Sequence, residues 1–510
     1  MRVKNSLINL IYIWGSTLLI TILNFVVRRV FLDTLTIDYL GYDGLFLSIF
    51  SFLTLSEMGI ANIITYHMYS EIATNNTHQI RKLLYMYKLI YMMVGEFVLV
   101  AGIIAGAFLP VILKNPTDDW GFIYTIYGLQ LIATLCTYFF AYRRILFVTH
   151  QKIYVCTTVD TITNIVSICC KMAVLVYLQN YILYLCISIA ANLVSNAIIA
   201  WKSKKVYPEI AKINVTLEDI RELNLWHDVK NMLATKIAVT VYGSADDIII
   251  TSYLGVGMVG MVNNYRMIST KIQEIMLSVF NALQASIGNL VYDSQEEKGI
   301  RFFRALDLLG FFMGLVCATA MVVCGQDLIL IWLKKENLKL PFMFLFWLSL
   351  NVFVALCNNP MVYFRNTLGH FERDRNYMIA AAIVNVLLSF ASAPIYGIVG
   401  IMAATVIGHL IIFVGRIIVV FEYYIKETPV RYYRTFAFRI VLFMLSVIGT
   451  LAITDRLAIS LIGIIIKGII SVAVSCLIFI IYAYRSEALR TLIDYAVKVL
   501  RMGKKKVTKK

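Results

Sequence analysis

Ser6-Leu-Ile-Asn-Leu-Ile-Tyr-Ile-Trp-Gly-Ser-Thr-Leu-Leu-Ile-Thr-Ile-Leu-Asn-Phe-Val-Val-Arg-Arg-Val-Phe31 decides the fold. It holds no charged residue before Arg28 and no proline. A helix crossing the hydrocarbon core of a bilayer needs about 20 predominantly apolar residues. Only helices and closed barrels satisfy their backbone polar groups there. A barrel strand would alternate apolar and polar residues over about ten positions, and this stretch does not. It therefore predicts a spanning helix. It is also longer than a signal-peptide core and lacks a small-residue cleavage site, so it reads as a retained first helix.

Working outward, comparable runs recur at 42–70, 84–113, 121–142, 153–177, 180–201, 231–254, 258–291, 306–332, 341–364, 377–395, 398–421, 436–454 and 458–483. The chain is 60% apolar and 15% charged, where a soluble domain averages about 45–50% and 25%. The excess apolar surface has to face lipid. The nine cysteines all lie within these runs, which excludes a framework of disulfides in exterior loops. The turns at Gln179–Asn180, Gly255–Gly257 and Tyr396–Gly397 are short enough to make their flanking spans antiparallel hairpins.

Charge sets the expected orientation. With a cytoplasmic amino terminus, 31 basic residues fall in inner segments and the tail, and five in outer loops: Lys114, Lys334, Lys335, Lys339 and Arg456. The positive-inside rule then puts both termini in the cytoplasm. The net charge of +16 belongs to topology and to anionic membrane lipids, which the tail with Lys504, Lys505, Lys506, Lys509 and Lys510 would bind. Nucleic acid is not an expected partner. No phosphate-binding loop or dinucleotide motif is present, which argues against ATP-driven transport by this chain alone.

The expected fold class is thus all-α integral membrane, with about 14 transmembrane helices. The longest interior polar segment, 202–230, divides a six-helix lobe (1–201) from a second one (231–421). Two further helices (422–484) and a basic cytoplasmic tail (485–510) complete the chain. Tyr39-Leu40-Gly41 recurs as Tyr253-Leu254-Gly255 at the matching place in the second half, an offset of 214 residues. An even number of spans per half predicts a parallel repeat about an axis along the membrane normal.

Ionisable groups inside spans are costly and mark cavities or partners. Arg28, Arg29, Lys236, Arg266 and Lys271 are cations at several depths, suited to phosphate oxygens through guanidinium forks and ammonium point charges. Glu57, Asp246, Asp247 and Glu274 are the candidate coupling or gating carboxylates. Glu57 maps onto Lys271 at the repeat offset, while Glu274 lies three residues from Lys271 and offers it a helix-face pair instead. Glu96, Asp160, Lys171, Arg416 and Lys467 also lie within spans, and for Lys171 and Lys467 a local partner is expected. Asn358-Asn359-Pro360 is placed to free backbone carbonyls, as hinge or as packing.

Gly243-Ser-Ala-Asp-Asp-Ile-Ile-Ile-Thr-Ser-Tyr-Leu-Gly255, followed by Val259-Gly260 and Asn264-Tyr265, resembles the opening of the second half in Wzx-type polysaccharide flippases. These belong to one superfamily with multidrug/toxic-compound extrusion transporters and the lipid II flippase. Gly41-Tyr-Asp-Gly-Leu-Phe46, Leu55-Ser-Glu-Met-Gly-Ile60 and Tyr396-Gly-Ile-Val-Gly-Ile-Met-Ala-Ala-Thr405 are similar to other fold signatures of that superfamily. The resemblance implies a central cavity between the two lobes, alternating access and no enzymatic activity. It implies export of an undecaprenyl-diphosphate-linked oligosaccharide repeat unit to the outer leaflet of a bacterial plasma membrane, for capsule, exopolysaccharide or cell-wall polysaccharide. The implied partners are the polymerase and glycosyltransferases of that pathway. No cofactor is expected, and H+ or Na+ are the candidate coupling ions. The alternatives are a cation-coupled multidrug antiporter and a lipid II flippase.

Overall fold

The computed structural model describes residues 2–54, 64–65, 67–69, 71–72, 74, 76–114, 116–138, 141–211, 243–292, 296–368 and 373–495. Among them the regular elements are all helical. Among the described residues, ten helices are long and apolar enough to cross a membrane. One of these, 375–425, turns at Gly397 (φ 57°, ψ −137°) and so comprises two helices end to end. The chain is a multi-pass membrane protein.

Two compact units divide at Gly260. The first contains α1 (Arg2–Thr34), α2 (Ile37–Leu53), α3 (Thr77–Ala107), α4 (Trp120–Cys136), α5 (Ile153–Ala173), α6 (Tyr181–Val206) and α7, residues 243–254. Here α1 packs along α5, α5 along α6, and α4 along α6. Each of the three short turns read from the sequence carries a residue of positive φ: Gln179 at 50°, Gly255 at 88° and Gly397 at 57°. Glycine enters that region without a Cβ penalty. Gln179 does so in a left-handed cap that follows a π-turn, Val174–Leu178.

Residues 243–260 group with the first unit by contact. A Cβ on Gly41 of α2 would collide with the Val256 carbonyl, and one on Gly260 would approach the Ile37 carbonyl and the Gly41 nitrogen. The glycines thus let the two backbones approach closely, the small-residue packing of membrane helices. Further along α2, Ser48 donates to Asp247 Oδ2 of α7 at 2.8 Å.

The second unit starts within α8 (Val256–Tyr292) and continues through α9 (Glu296–Leu333), α10 (Phe342–Leu368), α11 (Arg375–Val420), α12 (Val430–Thr454) and α13 (Leu461–Ala483). Its organising element is α9, which packs along α10, α13 and α12. Three polar contacts tie α12 and α13 to it. Asp307 accepts from Arg439 at 2.7 Å and from Tyr432 at 2.6 Å. Thr319 donates to Ser446, which meets Ser475 at 3.0 Å. Lys467 donates to Asp327 at 2.6 Å. The partner expected for Lys467 is therefore Asp327, and Arg416 is likewise paired, with Asp374 at 3.3 Å.

Pro360 neither breaks nor ends α10, which runs on to Leu368. Proline removes the hydrogen bond to the carbonyl four residues back, here that of Leu356. Gly310 of α9 closes on this site: a Cβ there would lie 2.8 Å from Leu356 O and 3.2 Å from Pro360 Cγ. Packing, then, is what the Asn358-Asn359-Pro360 segment provides. The neighbouring His409 is held between Asn351 (2.8 Å) and Asn358 (3.5 Å).

Candidate functional site

The first unit assembles a charged cluster where α1 ends, α2 begins, α5 ends and α6 begins. Antiparallel packing brings these four helix ends together, so residues far apart in sequence share one level. Asp43 of α2 is the hub. Its Oδ1 accepts from Tyr181 at 2.5 Å and from Gln130 Nε2. The Tyr181 hydroxyl also lies 3.2 Å from Tyr39 O, and its ring stacks on that of Tyr39, with centroids 4.8 Å apart.

Two cations flank this hub. The charges of Arg28 and Lys171 both act on the Asp43 carboxylate. Lys171 Nζ lies 4.6 Å from the centroid of the Tyr184 ring, a cation–π contact. Neither cation has an ion pair within 4.0 Å among the described residues. One carboxylate therefore answers two positive charges, and the Arg28 guanidinium, with five N–H donors, has no acceptor among the described residues. The cluster suits an anion bearing several oxygens.

A second polar site lies deeper along α5. Arg144 forks onto Asp160, with Nη1–Oδ2 and Nη2–Oδ1 both at 2.8 Å. Ser195 donates to Asp160 Oδ1 at 2.5 Å, and Arg144 Nε donates to Asn196 at 3.1 Å. This network walls a cavity of about 420 Å³ that is also lined by Tyr87, Tyr91, Asn164 and Asn192. The ion pair leaves the wall neutral, and the two asparagine amides make no hydrogen bond to a described residue. Such a lining suits a neutral, hydroxyl-rich group.

The residues singled out from the sequence are distributed as follows. Arg28 is in the charged cluster. Arg29 pairs within its own helix with Asp33 at 3.7 Å. Asp246 and Asp247 are buried in α7. Arg266 is half-buried in α8. Lys271 Nζ meets Glu274 Oε2 at 2.7 Å, the helix-face pair. Glu57 and Lys236 lie outside the described residues. Asp43 lies in the Gly41–Phe46 stretch but was not singled out for its charge, and Gln130, Tyr181 and Tyr184 carry no signal in the sequence beyond being polar or aromatic within apolar runs. Only their convergence identifies them. Among the described residues no group of three or more His, Cys, Asp or Glu could hold a metal ion.

No family model matches the sequence, and no curated protein matches it. Solved structures do. The chain is similar to the lipid II flippase MurJ in its inward closed conformation, with a TM-score of 0.67 at 13% identity over 92% of this chain and 98% of that one. It is similar to an inward-facing multidrug resistance MATE family transporter of the MOP superfamily, with a TM-score of 0.62 at 12% identity over 78% and 93%. A Vibrio cholerae MATE transporter, VcmN, aligns with a TM-score of 0.56 at 12% identity over 84% and 98%. At these identities the likeness is one of fold.

Proposed function

We propose that this protein is a transporter, not an enzyme, that moves a polyprenyl-diphosphate-linked saccharide across a bacterial plasma membrane by alternating access. One observation carries the reading. Arg28 and Lys171 lie close enough to Asp43 for their charges to act on it, yet among the described residues neither has an ion pair within 4.0 Å and the Arg28 guanidinium has no acceptor. Guanidinium and ammonium groups together suit a diphosphate, and burying them without an anionic ligand is costly. The neutral cavity beside Arg144 and Asp160 supports a sugar moiety in the same cargo, since its amides offer both donors and acceptors. Arg266, Lys271 and Lys236 are proposed as further diphosphate-binding cations, together with Arg29. Glu57, Asp246, Asp247 and Glu274 are proposed for coupling to H+ or Na+.

Two cargoes meet this description. The fold likeness to MurJ favours a lipid II-type cargo, whereas the Gly243–Gly255 resemblance favours an oligosaccharide repeat unit for surface polysaccharide. A multidrug antiporter, the class of the MATE structures, would instead take organic cations, for which the excess positive charge at Asp43 is unsuited. The test is flipping in proteoliposomes. Undecaprenyl-diphosphate saccharides should cross and a lipophilic cation should not. Cation transport without saccharide flipping would overturn the proposal. Lipid II moving in preference to a repeat unit, or the reverse, identifies the cargo.

A further inference from the structure

Glu96 stands in the middle third of α3 and is exposed, as are its neighbours Met92, Met93, Phe97, Leu99 and Val100. Large apolar side chains on a spanning helix face lipid, so this face presents a carboxylate to the hydrocarbon. Glu96 has no ion pair or hydrogen bond to a described residue. Intramembrane carboxylates are expensive and ordinarily face a partner. Glu96 also borders a groove of about 400 Å³, with Gly95 and Leu99 on one side and Leu135 and Tyr138 on the other. A Cβ on Gly95 would find Tyr138 alone, at 3.9 Å, so the α3 backbone is open to close approach by another helix. Lys88 also lines the groove, eight residues from Glu96 and thus about 12 Å along the helix axis.

We propose that the groove between α3 and α4 docks a transmembrane helix of a second membrane protein, one that carries a lysine or arginine level with Glu96. The charge selects this occupant. Acyl chains at that depth offer no hydrogen-bond donor to a carboxylate. A second copy of this chain using the same face about a two-fold axis along the membrane normal would set Glu96 against Glu96 and Lys88 against Lys88. A foreign helix with a base at mid-depth meets Glu96 directly, and an acid two turns away would meet Lys88.

The full-length protein, reconstituted with p-benzoylphenylalanine at Leu99, tests this with defined probes. These are synthetic Leu/Ala helices of about 22 residues, long enough to span, with either lysine or leucine at the centre. The lysine helix should crosslink at least tenfold more than the leucine helix, and Glu96→Gln, which keeps the side-chain shape and removes the charge, should equalise the two. Equal yields on the unsubstituted protein, or a preference that survives Glu96→Gln, would overturn the proposal. In native membranes the Leu99 probe should capture a protein with a basic residue at matching depth, and Glu96→Lys should lose it until that base is changed to glutamate. Capture of lipid alone, or of a second copy alone, would also overturn it.

Discussion

Arg144 and Asp160 meet through two parallel contacts of 2.8 Å, and Ser195 adds a third bond to the same carboxylate at 2.5 Å. The carboxylate belongs to α5, the hydroxyl to α6 and the guanidinium to the segment that follows α4, so one ion pair joins three parts of the first unit. Side chains about one-third exposed limit what the pair contributes. Arg144→Ala should lower stability by roughly 1.5–3 kcal/mol at most, the range of hydrogen bonds to charged groups. The double variant with Asp160→Ala should cost less than the two single changes summed. Thermal unfolding in detergent reads both effects.

The Asp307–Arg439 pair is far more enclosed, with side chains 8% and 5% exposed. Breaking it leaves a buried charge uncompensated, which costs about 3–5 kcal/mol. Arg439→Leu should therefore loosen α12 from α9, visible as faster proteolysis within 422–484 and a lower melting temperature. Adding Asp307→Leu should recover much of the loss. A double variant as unstable as the single one would show that the pair contributes more than mutual neutralisation.

At Gly310 the expected effect is steric. A methyl there meets the backbone oxygen of Leu356 at 2.8 Å, and overpacking of this kind costs about 1–3 kcal/mol. Gly310→Ala should lower the melting temperature. Gly15→Ala, with nothing within 4 Å of its Cβ, should not, and serves as the control.

For the proposed anion site, Arg28→Ala and Lys171→Ala should each reduce flipping of an undecaprenyl-diphosphate saccharide at least tenfold while the protein remains in the membrane. Arg28→Lys should retain part of the activity, because an ammonium keeps the charge but lacks the planar fork. Unimpaired flipping by both alanine variants would remove the argument from Asp43.

Lys271 and Glu274 separate a structural role from a transport role. Their contact is an exposed i,i+3 pair, which contributes little to stability. Glu274→Gln should leave the melting temperature unchanged. Lys271→Ala and Arg266→Ala should impair flipping without unfolding, and normal flipping by both would confine these cations to structure.

Much of the fold was legible before any coordinates, because the signal is local. An apolar run of membrane length forms a helix whatever its neighbours do, and the three hairpin turns announce themselves by their length. Gly41 and Gly260 were visible as residues, yet their close approach depends on how α2 packs against residues 256–260. The charges behaved differently. Lys467 and Lys171 were expected to have local partners. Lys467 pairs with Asp327, whereas Lys171 meets the Tyr184 ring and no carboxylate within 4.0 Å among the described residues. Asp307 and Arg439 escaped notice because each sits near the end of a run, where a charge can reach the interface.

By itself, then, the amino-acid sequence determined the solvent of this protein, the helical character of its spans and the places where the chain reverses. Each follows from hydropathy and backbone chemistry within about 25 residues. Tertiary structure alone decided which polar groups meet. Asp43 and Tyr181 lie 138 positions apart, Asp307 and Arg439 132, and Asp327 and Lys467 140. In lipid a buried charge must find its complement on another helix, and which helix stands beside it is set by packing, not by any pattern along the chain.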